Sequence, residues 1–214
     1  MTPEFVVAID GPAGAGKTTI ARRLAERLPG FRYLDTGAMY RAVTAYLMRK
    51  DQLDCSEADM AKVAESLVHD GDRLVVNGED VAGDIRSPEV TAEVSRVSAF
   101  PLLRRVVQAK QRDQSGQLVV EGRDIGSVVF PNAQVKIYLD AQLNERARRR
   151  HKQHPVLSAV ELEKRIAERD RVDSSRDDSP LVVADGAISI ETTDLSIEQV
   201  VERALTLVRE VMNN

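Results

Sequence analysis

Gly11-Pro12-Ala13-Gly14-Ala15-Gly16-Lys17-Thr18 decides how the rest of the chain is read. The octet fits G-x-x-x-x-G-K-[ST] at every fixed position. It follows the apolar run Phe5-Val6-Val7-Ala8-Ile9 and opens an amphipathic stretch from Gly16 to Leu28, which Pro29-Gly30 ends. A strand, a glycine-rich loop and a helix in that order make a phosphate-binding loop, whose inward N–H groups meet anionic oxygens at a helix N-terminus. Gly11, Pro12, Ala13, Gly14, Ala15 and Gly16 would supply that backbone, and Lys17 would reach the terminal phosphates. Thr18 would place its hydroxyl on Mg²⁺, with Thr19 completing the nucleotide-binding set. The expected ligand is a nucleoside triphosphate.

Outward from the loop, short apolar runs alternate with longer amphipathic stretches, the pattern of βα units around a parallel sheet. Strands are expected at Arg32–Leu34, Leu118–Val120, Val135–Leu139 and Ala187–Ile190, with helices at Thr36–Lys50 and Asn144–Lys152. Two more helices open with capping boxes, Ser158-x-x-Glu161 running to Arg171 and Ser196-x-x-Gln199 running to about Met212. The expected fold class is α/β, a five-stranded parallel sheet covered by helices. Between about Ser56 and Pro101 the rhythm breaks. Leu74-Val75-Val76, Asn77-Gly78 and Val81 read as a hairpin, because Asn-Gly favours a tight turn, and Ser87–Ala99 reads as a helix. This segment is expected to be an insertion that builds a substrate clamp within a single domain spanning 1–214.

Composition narrows the function. The 214 residues carry 30 basic and 34 acidic side chains, a net charge of −4, with 43% hydrophobic residues. That balance is globular, and its acidity argues against a general nucleic-acid binder. One cysteine, Cys55, allows no internal disulfide, and no apolar run approaches the roughly 20 residues of a membrane span. The start shows no secretory signal. A monomer in the cytoplasm, away from membrane and nucleic acid, is expected. Of the basic residues 23 are arginine, whose guanidinium fork suits phosphate.

Further motifs sort the chemistry. No Asn-Lys-x-Asp exists to read guanine. Asp35-Thr36-Gly37 resembles a protease triplet, but that chemistry needs a second carboxylate loop and the chain has none. At the end of the second strand it faces instead the crevice where open α/β sheets bind ligands, so that Thr36 and Arg41 can serve a second phosphate. Gly122-Arg123-Asp124 lies at the same rim. Arg169-Asp170-Arg171-Val172-Asp173-Ser174-Ser175-Arg176 alternates charge at a helix end, which suits either a ligand site or a solvated terminus. Arg146, Arg148, Arg149 and Arg150 form the densest basic cluster, as expected of a lid at about 148–158. His151-x-x-His154 has no partner at metal-ligand spacing.

Several blocks together resemble bacterial cytidylate kinases, over about Val6 to Val208. They are Ile9–Lys17, Leu34–Arg41, Val94-Ser95-Arg96-Val97-Ser98-Ala99-Phe100-Pro101, Gly122–Pro131 and Thr192–Ile197. The resemblance implies a P-loop kinase fold with a monophosphate-binding insertion and a short lid. It also implies transfer of the γ-phosphoryl group of MgATP to CMP or dCMP. By position, Thr36, Arg41 and Arg123 would hold the acceptor phosphate; Ser95, Arg104 and Asp124 would read cytosine; Arg169 and Asp173 would bind the sugar. Lys17, Arg123 and Arg176 would be catalytic. The chemistry is coherent, because a carboxylate accepts from the cytosine amino group and faces an acceptor in uracil. The rival readings are a kinase for UMP, AMP or shikimate, and a P-loop switch or nucleic-acid ATPase.

Overall fold

A computed structural model describes residues 3–71, 73–153 and 157–213. Along the chain run β1 (Phe5–Asp10), α1 (Lys17–Arg27), β2 (Phe31–Asp35), α2 (Thr36–Arg49), α3 (Glu57–Glu65), β3 (Val68–Asp70), β4 (Arg73–Val76) and β5 (Glu79–Asp80). Then follow α4 (Pro88–Val97), α5 (Pro101–Arg112), β6 (Gln117–Glu121), β7 (Val135–Asp140), α6 (Leu143–Gln153), α7 (Ala159–Ser174), β8 (Ile188–Glu191) and α8 (Ile197–Met212). Two compact units divide the described residues, one of 35–114 and one of 3–34 with 115–213.

The second unit is built on a five-stranded parallel sheet in the order β2-β6-β1-β7-β8. Its central strand explains why the sequence reads as an unbroken apolar run. Val7 and Ile9 face one core with Ile20, Ala21 and Leu24 of α1 and Val200, Val201, Ala204 and Leu205 of α8. Val6 and Ala8 face another, with Leu34, Leu118, Val120, Ile125 and Val129. A strand buried on both faces has no polar alternation to show. Both capping boxes form, at Ser158/Glu161 and Ser196/Gln199. The helix after Ser158 runs three residues beyond the expected Arg171, to Ser174, so that Arg169 and Asp173 of the charge run lie on one helix and Arg176 stands just past its end. Ile125–Val129 forms a π-helical turn that the sequence did not disclose.

In the 35–114 unit, α2, α4 and α5 share a core that includes Met39, Val43, Leu47, Val90, Val94, Leu103 and Val107. The expected hairpin is present. β4 and β5 pair antiparallel through Asn77-Gly78, both at positive φ (48° and 80°), the backbone that a two-residue primed turn demands. A third strand, β3, pairs with β4 and went unread, as did α3 and α5. The segment 56–101, expected as the insertion, falls inside this unit. Of the expected lid at about 148–158, residues 154–156 lie outside the described residues, and His154 with them. No described helix is long and apolar enough to cross a membrane.

Candidate active site

The phosphate loop leaves the sheet at Gly11 under a tight constraint. Its φ is +150°, and a Cβ added there would lie 2.1 Å from the Leu139 carbonyl oxygen of β7, so only glycine lets the loop depart from the sheet. Gly16 (φ +95°) caps α1, and the helix begins at Lys17. Lys17 is buried and donates from Nζ to the Pro12 carbonyl at 2.8 Å. Burial, and after it the neighbouring Arg123 guanidinium, pushes its ammonium down to about 7. Thr18 and Thr19 occupy the first turn of α1, half-buried.

Two carboxylates close the C-terminal ends of β1 and β6. Asp10 accepts from the Ile125 and Gly126 N–H groups at 2.8 and 2.7 Å, pinning the π-helical turn that follows Arg123-Asp124. Burial pushes its carboxyl up to about 6 despite those two donors. Glu121 is buried and accepts from the Tyr33 hydroxyl at 2.7 Å. Asp124 is likewise buried, and its carbonyl accepts from the Val128 and Val129 N–H groups.

Around Asp173 the charge run of α7 resolves into a cluster. Arg123 donates from Nε to Asp173 Oδ2 at 2.8 Å, Arg169 Nε lies 3.9 Å from the same oxygen, and Arg176 pairs with Oδ1. Burial opposes the charge on Asp173, yet the three guanidiniums hold its carboxyl below the usual range. Three guanidiniums gather on this one carboxylate, and two of them, Arg123 and Arg169, lie in electrostatic reach of Lys17, as do the Glu121 and Asp10 carboxylates. Such a group of cations can draw together phosphates that repel one another.

The arginines of α6 have divided duties. Arg146 is buried, donates from Nε to Ala141 O and from Nη1 to Ala13 O, and pairs with Asp170. Arg149 donates to the Thr192 hydroxyl and carbonyl and reaches Ala15 O at 3.5 Å. Arg148 is exposed and pairs with Glu145. Two of these side chains therefore brace the phosphate loop's backbone.

The 35–114 unit carries the remaining candidates on helix faces. Asp35 caps α2 by accepting from the Ala38 N–H, which seats Thr36, buried, at the first helical position. Arg41 donates to Ile85 O and to Thr91 Oγ1 at 3.0 and 2.8 Å. Arg104 is buried, donates to Ser98 O and lies over the Tyr40 ring at 5.3 Å. Ser95 is half-buried on α4, and its carbonyl accepts from Ser98.

The cytidylate kinase family model matches residues 7–210. The chain belongs to that family. It is 48% identical over 217 residues to a bifunctional pantoate ligase/cytidylate kinase of Synechococcus sp. (strain CC9605), covering 94% of this chain and 45% of that protein. It is 45% identical over 212 residues to a cytidylate kinase of Caldanaerobacter subterraneus subsp. tengcongensis, covering 95% and 94%. The chain thus spans about half the length of the bifunctional relatives it matches. Among solved structures, TT1252 from Thermus thermophilus matches over 98% of both chains at 21% identity and a TM-score of 0.51, a likeness of fold alone.

Three side chains at the site escaped the reading of the sequence as functional. Asp10 stands in the Ile9–Lys17 block that carries the family resemblance, with no role assigned to it. Glu121 was passed over beside Arg123-Asp124, although an acidic residue ending an apolar strand at the ligand rim was a usable signal. Asp170 was lost in an alternating charge run, and its offset of three residues from Asp173, which puts both on one helix face, was the signal that could have found it.

Proposed function

We propose that this chain transfers the γ-phosphoryl group of ATP to CMP or dCMP, giving ADP and CDP or dCDP. The observation that carries the reading is the buried Lys17 of an intact phosphate loop in electrostatic reach of Arg123 and Arg169, two of the three guanidiniums gathered on Asp173. Phosphoryl transfer needs positioning and charge neutralisation more than a strong base, and these residues offer that. Lys17 bears on the transferring group. Arg123 and Arg176 steady its charge, and Thr36 and Arg41 hold the acceptor phosphate. Ser95, Arg104 and Asp124 read the base, while Arg169 and Asp173 meet the sugar.

Mg²⁺ fits this donor set as an ion carried by the phosphates. The described residues hold no cluster of three or more His, Cys, Asp or Glu that would cage a metal, whereas Thr18 offers a hydroxyl beside the loop. When bound, the ion would neutralise phosphate charge. Thr18 would orient it, and Lys17 would act on the same oxygens. The protein is proposed to work as a cytoplasmic monomer on these small molecules, with neither nucleic acid nor membrane as partner.

The test is a coupled assay of ADP release across CMP, dCMP, UMP, AMP and shikimate. Turnover at least tenfold faster with CMP or dCMP than with any other acceptor is expected. Preference for another acceptor, or sustained turnover with none, overturns the reading.

A further inference from the structure

The phosphate loop is held by a side chain from outside it. Asp170, half-buried on α7, accepts from the Ala13 N–H at 3.0 Å through Oδ1, and its Oδ2 pairs with Arg146 Nη1. The same Arg146 Nη1 donates to Ala13 O at 3.0 Å. Ala13 is therefore gripped at both ends, and the two grips fix two successive peptide planes.

Peptide planarity carries the consequence further, because in a trans peptide the C=O and N–H point in opposite directions. In the Pro12–Ala13 peptide, the N–H turned toward Asp170 turns the Pro12 carbonyl the other way, where Lys17 Nζ meets it at 2.8 Å. In the Ala13–Gly14 peptide, the carbonyl turned toward Arg146 turns the Gly14 N–H away from that guanidinium. One carboxylate thus sets the direction of one loop carbonyl and, through Arg146, of one loop amide. Gly14 adds a close fit, since a Cβ there would lie 3.0 Å from Arg146 Cβ and 3.1 Å from its carbonyl oxygen.

The charge is informative. A carboxylate next to an anion-binding loop repels the ligand, and a neutral acceptor would satisfy the Ala13 N–H alone. What the charge adds is an ionic partner for the buried Arg146 guanidinium, which is otherwise held only by the neutral Ala141 and Ala13 carbonyls. We infer that Asp170 is a positioning residue for the phosphate donor: through the Ala13 peptides and Arg146 it sets the phosphate loop and Lys17 in the geometry that receives the donor's phosphates. The inference rests on the proposed kinase reading and adds to it a residue that touches neither substrate.

The test measures ADP and CMP binding separately by calorimetry, with KM and kcat for ATP and for CMP beside them. Asp170→Ala removes the grip on the Ala13 N–H and the charge partner of Arg146. It is expected to weaken ADP binding tenfold or more and raise the KM for ATP similarly, with the Kd for CMP within twofold. Asp170→Asn keeps the volume and an acceptor for the Ala13 N–H but loses the charge that holds Arg146. A three- to tenfold loss of ADP affinity is expected, again with CMP unchanged, so the variants rank wild type, Asn, Ala. Should the Ala variant not fold, the Asn variant decides by the same split. ADP affinity equal to wild type in the folded variant, or equal losses for ADP and CMP tracking the fall in Tm, overturns the inference. Wild-type protein inactive on CMP but binding ADP would instead break the kinase reading, leaving the Asp170 comparison measurable.

Discussion

The two units place their functional side chains by different means. In the sheet unit Arg169, Asp173 and Arg176 stand on α7 and just past its end, while the other candidates stand at strand ends and beyond them: Asp10 and Glu121 close β1 and β6, and Lys17 and Arg123 follow in the chain. Their positions are set by the backbone of a buried sheet, and their charges are packed closely enough to shift one another. In the 35–114 unit, Thr36 and Arg41 ride on α2, Ser95 on α4 and Arg104 on α5, two hydroxyls and two long guanidinium side chains set by helix packing around an apolar core. Under the proposed function, strand ends would fix charge for chemistry common to every acceptor, and helix faces would carry the groups fitted to one acceptor. On this division, damage at strand ends should show in turnover, and damage on helix faces should show in acceptor affinity.

Lys17→Ala presses hardest on the first half of that contrast. Turnover should fall about 100-fold or more, because charge is removed from the transferring group, while CMP binding without ATP stays within about twofold. Near-normal turnover in stopped-flow assays would end the assignment. Asp124→Asn probes a strand-end residue given a base-reading role and so strains the division. The amide offers uracil a donor, so the CMP to UMP ratio of kcat/KM should shrink roughly 10–100-fold, about 1–3 kcal/mol. An unchanged ratio with both substrates weakened would return Asp124 to support of the phosphate cations.

Arg41→Lys keeps the charge and loses the fork. The KM for CMP should rise about tenfold while that for ATP stays put, and a matching rise for ATP would erase the contrast between the units. The smallest effect is a proton. Lys17 sits near pKa 7, lowered first by burial and then by Arg123. Bound phosphates favour its ammonium, so the complex holds more protons than free protein at pH values between the free and bound pKa. ADP binding should therefore take up a fraction of a proton near about pH 8, vanishing below about pH 6. Calorimetry in buffers of different ionisation enthalpy reads it, and Lys17→Arg should abolish it.

The units also differed in how much of them could be read. All five strands of the parallel sheet are legible: β1 and β6, buried on nearly every residue, are uninterrupted apolar runs, while β2, β7 and β8 show as shorter apolar patches, and α1, α7 and α8 are marked by Pro29-Gly30 or by capping boxes. In 35–114 the elements are short and their signals were subtler. Ser56 caps α3 by accepting from the Asp59 N–H, a cue hidden in a polar stretch. Pro101, which in sequence reads as the end of the insertion, stands at the first turn of α5, where proline starts helices well. β3 is three residues, two of them polar, and owes its existence to pairing with β4. The loop and the arginines could be named from sequence. That Arg123 turns to Asp173, and that Arg146 faces inward to the loop's backbone, depends on tertiary distances that no local pattern encodes.

The departure of the loop at Gly11 has a genetic counterpart. All four glycine codons begin GG, and every amino acid reached by one change in those two bases carries a Cβ. At this codon the molecule tolerates synonymous changes at the third base and meets Leu139 O with every missense one. A glycine such as Gly78, with open space around its missing side chain, faces only the strain of its φ. In a population of variant genes, codon 11 should stand among the emptiest of missense alleles, and codon 78 should be visibly occupied.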